Sequence, residues 1–331
     1  MSFHENTEFG FYGRLKEEFP SQVIVDVSEI CNMACVHCPH PEYKKSEYYG
    51  GNQLDVDLNK KLVDEVAQYG SSYCSYIRYT SNGEPLIHRR IYEMLKYAKL
   101  NSGVFVALTT NGKLMRKAEI EKLLDTDLDL IDISIDAIKA ETYKKIRVGG
   151  NLEETTKNVL ELIRQKRALG KHVKVVTSYV EQPDNVHETE EFERFWKAAG
   201  VDYVVIRRLH SAAGARTEIA SLIHDKEAGP RKPCVYPWER VVLTARGTLA
   251  FCPADWTHGS SITDYRTTTI SETWNGPFYR DLRRAHLTND FSCHKFCGQC
   301  PDWKVINWPQ EGKAYASMVE EFKREGAEVS L

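Results

Sequence analysis

Between residues 22 and 210 of this 331-residue chain, six short apolar runs alternate with stretches of helical period. The runs are QVIVDVS (22–28), SYIRYTS (75–81), VFVALTT (104–110), LIDISID (130–136), HVKVVTSYV (172–180) and YVVIRRLH (203–210). Several are rich in Val and Ile, as strands buried on both faces must be. Between them, Leu58, Leu62, Val66 and Tyr69 make one helical face, with Asp57 as its N-cap and Gly70 as its stop. Val159 and Ile163 open a second that ends at Gly170; Phe192, Phe195, Trp196 and Ala199 make a third, ended by Gly200. Parallel strands need crossover connections, and six β–α repeats in series supply them. The expected fold class is α/β, a parallel sheet with its helices outside.

The pattern breaks near residue 211. SAAGARTEIASLIHDKEAGPRKP reads as a linker, and ERVVLTARGTLAFC as a β-hairpin turning at Ala245-Arg246-Gly247. Five cysteines fall between 234 and 303, where long apolar periods are few, which describes a small metal-stapled unit. A last helix, KAYASMVEEFKREG, is expected to pack back onto the surface. The division is thus 1–215 for the repeats and 216–331 for linker, cysteine-rich domain and final helix.

The charge balance is −3, so no basic excess attracts nucleic acid or acidic lipid. No run approaches the roughly 18 apolar residues of a membrane span. The opening MSFHENTEFGFYG lacks the basic start and apolar core of a signal peptide. A cytoplasmic location follows, where thiols stay reduced. Nine cysteines there are unusual, and most are clustered. Clustered cytosolic cysteines read first as ligands of a metal or of an iron–sulfur cluster.

CNMACVHC places Cys31, Cys35 and Cys38 in a C-x3-C-x2-C loop directly after the first strand. Three thiolates there can hold three irons of a [4Fe–4S] cluster and leave the fourth open. Zinc is the alternative, and would need His37, His40 or Cys74 as a fourth ligand. The spacing and its place resemble the radical S-adenosylmethionine (SAM) family, and the resemblance covers nearly the whole chain. It implies a partial (β/α)6 TIM-like barrel in which SAM occupies the open iron. Reductive cleavage of SAM then gives a 5′-deoxyadenosyl radical that abstracts a substrate hydrogen.

Further motifs carry the same likeness. SNGEP after the second strand resembles the family's Gly-Gly-Glu, with Asn82 in place of the first Gly, and puts Gly83 and Glu84 near SAM's ammonium. TTNG ends the third strand with Thr110 and Asn111, and DISID on the fourth carries Ser134 and Asp136, which share a strand face. Arg147 resembles a family arginine that reaches the SAM carboxylate, and His37 joins this SAM-binding set. No adenine motif is legible in VKVVTSYV.

In the second half, Gly247 and Cys252 give G-x4-C, and CGQC follows downstream. This resembles the SPASM and shorter twitch extensions of the same family, and implies Cys234, Cys252, Cys297 and Cys300 around an auxiliary [4Fe–4S] cluster. A four-cysteine zinc site has the same spacing. Two clusters and SAM are the expected cofactors. The inventory leaves too few cysteines for a third cluster, so Cys293 is spare, and Cys74 reads as a packed core thiol.

Three functions are open. One is a dehydrogenase for a sugar, aminocyclitol or similar polyol, with the auxiliary cluster taking the second electron. Arg207, Arg208 or His210 at the end of the sixth strand would then orient the substrate or take its proton. The second is an epimerase of a sugar or ribosomal peptide, with Cys293 returning hydrogen. Only 30 residues precede Cys31, which is short for a fused leader-binding domain and weakens the peptide reading. The third is an electron carrier or zinc-stapled module without chemistry. Either enzyme needs an external donor such as flavodoxin or ferredoxin.

Overall fold

The computed structural model describes residues 17–80, 82–224, 231–305, 319 and 322–324. The six apolar runs are strands: β1 (Gln22–Asp26), β2 (Tyr76–Thr80), β3 (Phe105–Thr110), β4 (Leu130–Ser134), β5 (Lys174–Glu181) and β6 (Tyr203–Arg208). Each pairs in parallel with the next. Then β7 (Arg240–Leu243), β8 (Thr248–Ala250) and β9 (Ser261–Asp264) extend the same sheet, in the order β6-β5-β4-β3-β2-β1-β7-β8-β9. The new edge is parallel where β7 meets β1 and antiparallel beyond.

Alternation along each strand sorts the side chains. Val23, Val25, Ile77, Tyr79, Val106, Leu108, Ile131, Ile133, Val175 and Tyr179 lie in one core with the crossover helices, which contribute Leu62, Leu95, Leu123, Leu162 and Trp196. The opposite face carries Asp26, Arg78, Thr109, Asp132, Ser178 and Arg207. A strand with a polar residue on its inner face is not one continuous apolar run.

The first crossover helix, Val56–Glu65, is capped by Asp55, which accepts from the N–H groups of Asp57 and Leu58. Asp57 is therefore inside the first turn rather than its cap. The helix runs on as a π turn, Val66–Gly70, whose wider repeat rotates Tyr69 off the apolar face to 52% exposure. The segment read as a linker holds a helix at Thr217–His224, where Ile219 and Ile223 pack on Val305 at helical spacing. Residues 225–230 lie outside the described ones.

The hairpin turns where its sequence demands. Gly247 N–H donates to Thr244 O at 2.9 Å with φ at +84°, and a Cβ there would stand 2.6 Å from Leu58 Cδ1. Most of the expected last helix lies outside the described residues. Of those described, Arg324 is exposed, while Val319 packs on Ile24, Tyr76, Val242 and Ala250, and Phe322 on Ala107, Leu130, Val176 and Val205. They fill the inner face because those inward positions are apolar at the N-terminal ends of the strands.

Candidate active site

The loop after β1 is stitched to the segment after the Ala140–Ile146 helix. Ala34 N–H donates to Val148 O at 2.8 Å and Val36 N–H to Ile146 O at 3.0 Å. Between those bonds Cys35 is buried, and Arg147 Nη1 stands 3.7 Å from its Sγ. Cys38 N–H donates to Cys35 O, and His40 N–H to Cys38 Sγ at 3.5 Å. Burial pushes the Cys31 thiol up to about 11 and that of Cys38 to about 12, and raises Cys35 as well. Cys31 also feels Cys35, and Cys38 feels both, while Arg147 beside Cys35 opposes its rise. Such thiols stay protonated at neutral pH until a metal displaces the proton. Among the described residues no three His, Cys, Asp or Glu side chains converge to hold one metal ion. Cluster cysteines bind different irons and need not meet at one point.

Around this loop the motif residues interlock. Glu84 is buried, and both its oxygens accept from the chain: Thr110 Oγ1 at 2.7 Å, Leu86 N–H at 3.1 Å and Asn111 N–H at 2.9 Å. Asn111 Nδ2 then donates to Asn32 Oδ1 at 2.7 Å, tying β3 to the cysteine loop. Gly83 sits where a Cβ would be 2.2 Å from Ile30 O. Asn82 N–H donates to Asp26 Oδ1 at 2.9 Å and Asn82 Nδ2 to Asp255 O at 3.2 Å. Ser81 lies outside the described residues.

Asp136 does not share a strand face with Ser134. Strand β4 ends at Ser134, and Asp136 has φ +63°, which breaks the alternation. Its fully buried carboxylate pairs with Arg147 Nη2 at 2.5 Å and accepts from Val180 N–H at 2.7 Å. His37 Nε2 lies 3.7 Å from the same carboxylate, and burial lowers the His37 pKa to about 4. Asn32 Nδ2, His37 Nδ1 and Arg147 Nε are buried without a hydrogen-bond partner. Three unpaired polar groups beside three thiols are what a polar ligand at the cluster would meet.

Cys234, Cys252, Cys297 and Cys300 gather at the far end of the hairpin. Burial raises each thiol; neighbouring cysteines add to it at Cys234, Cys252 and Cys297 and Asp302 at Cys300, so that Cys297 reaches about 12 and Cys300 about 11. Phe251, Trp274, Tyr279, Leu282, Phe278, Phe291 and Phe296 form one apolar cluster with Cys252 and Cys297. Arg231 donates to Cys297 O at 2.6 Å and Gly298 O at 3.0 Å, with its guanidinium 4.1 Å from the Phe291 ring centroid. His286 Nδ1 accepts from Cys234 N–H at 3.2 Å. Cys293 is exposed and outside this group.

One cavity of about 470 Å³ joins the two halves. Asp26, Arg78, Thr80, Arg207, Arg208 and His210 line it from the strands, and all four of these cysteines line it from the hairpin side; Cys293 does not. Asp132, fully buried, accepts from Arg207 Nη2 at 2.7 Å, Arg78 Nη2 at 3.3 Å and the Ser178 hydroxyl. Arg207 is thus half-buried in that network, and Arg208 is exposed at the rim. Asp26 is buried on the inner face at the end of β1, and burial raises its pKa to about 7. Sequence reasoning passed over Asp26, Asp132, Arg78 and Arg231. For the two aspartates the available signal was an acidic residue at an inward position of a Val/Ile-rich strand, in QVIVD and LIDIS.

Two family profiles match this chain. The radical SAM superfamily matches residues 25–204, and the iron–sulfur cluster-binding SPASM domain matches 234–301. The chain belongs to the radical SAM superfamily. A probable GTP 3′,8-cyclase of Methanococcus maripaludis is 32% identical over 152 residues, 46% of this chain and 47% of the relative. An Fe-coproporphyrin III synthase of Methanosarcina barkeri is 30% identical over 41% of this chain and 35% of its own length. The chain spans about half the length, or less, of these curated relatives. Among solved structures, BtrN in complex with AdoMet and 2-DOIA aligns with a TM-score of 0.59 at 15% identity, covering 90% of this chain and 98% of BtrN. Streptococcus suis SuiB bound to its precursor peptide SuiA gives 0.63 at 14%, covering 92% and 73%. Identities this low speak for the fold.

This radical SAM enzyme uses SAM and two [4Fe–4S] clusters. Among the described residues no helix is long and apolar enough to cross a membrane.

Proposed function

We propose that this radical SAM enzyme oxidises a carbinol carbon of a small polyol, a sugar or an aminocyclitol. Cys31, Cys35 and Cys38 hold the first cluster, and Cys234, Cys252, Cys297 and Cys300 hold the auxiliary one. Asn32, His37 and Arg147 face SAM, while Glu84, Thr110, Asn111 and Asp136 order the groups that do. The observation that carries the reading is the shared cavity, lined by barrel strands on one side and the four auxiliary cysteines on the other. A volume of about 470 Å³ suits a small molecule better than a peptide chain.

SAM and a cluster held by Cys31, Cys35 and Cys38 would supply the one-electron chemistry that removes one hydrogen atom from the substrate. The carbinol C–O bond becomes C=O when the hydroxyl proton and one electron leave as well. Asp26 accepts the proton, since a buried carboxyl with a pKa of about 7 is matched to that task near neutrality. An auxiliary cluster held by Cys234, Cys252, Cys297 and Cys300 would supply the acceptor for that electron. Arg207 and Arg78, both held on Asp132, give the inner wall fixed polar groups for hydroxyl recognition.

Epimerisation is less well supported, because Cys293 is exposed and outside the cavity lining. The test is turnover of a polyol panel by the anaerobically reconstituted enzyme in deuterated water. The expected product is two hydrogens lighter and free of solvent deuterium, with one 5′-deoxyadenosine per turnover. An inverted carbon carrying deuterium, lost in Cys293→Ala at equal iron content, would replace the oxidation reading with the epimerase one.

A further inference from the structure

The helix Pro277–Thr288 turns one face to the auxiliary cysteines, since its Tyr279 and Leu282 share an apolar cluster with Cys252 and Cys297. His286 lies on the same face, one turn beyond Leu282 and two beyond Tyr279, and is 4% exposed. A buried polar ring calls for a partner at each nitrogen. Nδ1 has one, the Cys234 N–H at 3.2 Å. A backbone amide N–H can only donate, so Nδ1 is the acceptor and the ring proton sits on Nε2. Among the described residues Nε2 is buried without a hydrogen-bond partner. The ring is met edge-on by Trp238 at 6.0 Å and by Phe291 at 4.9 Å, and neither carries an acceptor oxygen or sulfur. It lines the same cavity as the thiols of Cys234, Cys252, Cys297 and Cys300.

We infer that His286 Nε2–H donates a hydrogen bond to a sulfur of the auxiliary cluster and so raises that cluster's potential. The tautomer excludes the other use of the ring, because a nitrogen that carries the proton has no lone pair for iron. Reduction adds negative charge to a cluster, and a donor aimed at its sulfur stabilises the reduced form. The helix supplies this donor from an otherwise apolar stripe, and the Cys234 amide fixes which way the ring is protonated. His286 touches no reacting atom; it is a positioning residue that acts through the cluster. The inference rests on the assignment of the four cysteines made above, and it deepens the oxidation reading, since an acceptor for a substrate electron gains from a raised potential.

The experiment is a redox titration of the whole chain, anaerobically reconstituted and with its iron counted, followed by electron paramagnetic resonance. SAM alters the signal of the cluster it binds, so the auxiliary signal is the one that SAM leaves unchanged. His286→Asn keeps an acceptor oxygen near the place of Nδ1 and removes the distal donor. His286→Gln puts an N–H near the place of Nε2 instead. The expected result for His286→Asn is a roughly tenfold lower ratio of reduced to oxidised auxiliary cluster at a fixed potential, a downward shift of about 59 mV for one electron. His286→Gln should recover most of that shift, and the first cluster should keep its potential in both variants. Three outcomes overturn the proposal. An unmoved potential in His286→Asn leaves the Nε2–H to the Phe291 ring alone. Equal shifts in both variants make the effect one of packing. A His286→Asn protein that loads only the first cluster makes the ring a requirement of assembly rather than of potential. A wild type without a second signal would instead sink the four-cysteine assignment, and the inference with it.

Discussion

Arg147→Met tests how the cysteine loop is held. Arg147 is 8% exposed in its side chain, Asp136 is fully buried, and their closest atoms are 2.5 Å apart. Methionine keeps the unbranched apolar stem but removes the guanidinium head and its charge. Asp136 then keeps Val180 N–H as its donor, with a carboxylate sealed from water. Breaking one side of a buried pair costs about 3–5 kcal/mol, because the remaining charge is uncompensated. Adding Asp136→Asn discharges that carboxylate, and the double variant should be more stable than Arg147→Met alone. A coupling of about 2–3 kcal/mol is expected between residues in one network. Urea midpoints of the anaerobic, iron-loaded proteins would give the four corners of the cycle. The spectrum of the first cluster should also change with Arg147→Met, since Nη1 lies against Cys35 Sγ at 3.7 Å. If Arg147→Met cost less than about 1 kcal/mol, or the two changes simply added, the pair would not be the clamp argued here.

Gly83→Ala should cost about 1–3 kcal/mol and lower the iron held by the first cluster, because its Cβ would meet Ile30 O at 2.2 Å and Ser28 O at 2.7 Å, both backbone atoms. Full stability with unchanged iron would refute that. Arg231→Gln removes a cation beside Cys297, Cys300 and Cys234, so a redox titration followed by electron paramagnetic resonance should show the auxiliary cluster shifted to lower potential. An unmoved potential would leave Arg231 with its carbonyl bonds alone. Asp26 has a folded pKa of about 7 against 3.8 in an exposed chain, so the folded state keeps a proton that the unfolded state releases. Its contribution to stability is full below about pH 4 and is lost as pH rises toward 7; Asp26→Asn should remove that slope, and an identical pH profile in the variant would count against the raised pKa.

The barrel was legible because its signal is local and repeated. Each Val/Ile run has strand length, and each is followed by a helical stripe such as Phe192 and Trp196, buried side by side in the core. Gly247 was readable for the same reason, since a two-strand turn with φ +84° calls for glycine in its own short window. The cysteine spacing exposed both clusters of thiols. What stayed hidden depends on distant partners. Asp57 and Asp55 are equal candidates for a cap until the backbone shows which one precedes the first turn. Asp136 sits in a DISID alternation that the backbone abandons at Ser134, because its carboxylate is needed by Arg147 and by Val180 N–H. Asp26 reads as a stray polar residue until burial and the cavity give it neighbours.

The sheet itself ties the cysteine-rich hairpin to the barrel. Strand β7 pairs in parallel with β1, so the chain leaves both strands at the same edge of the sheet. The loop after β1 carries the first three cysteines and lies at the edge where the hairpin turns, while antiparallel β8 takes the chain back to the other edge, where Cys252 follows it. Glu29 fastens the two together. Its carboxylate accepts from Arg246 Nε at 2.8 Å on the hairpin, and from Asn52 N–H at 2.9 Å and Gly50 N–H at 3.0 Å on the barrel side. Burial alone would raise the Glu29 pKa, but these donors outweigh it and lower it, so the buckle stays charged at neutral pH. Asn82 adds a second tie, from the Gly83 turn to Asp255 O. A hairpin attached only by its own linker would leave the distance between the clusters to chance. Hydrogen-bonded to β1 and buckled at Glu29, it fixes Cys252 relative to the barrel strands that line the same cavity.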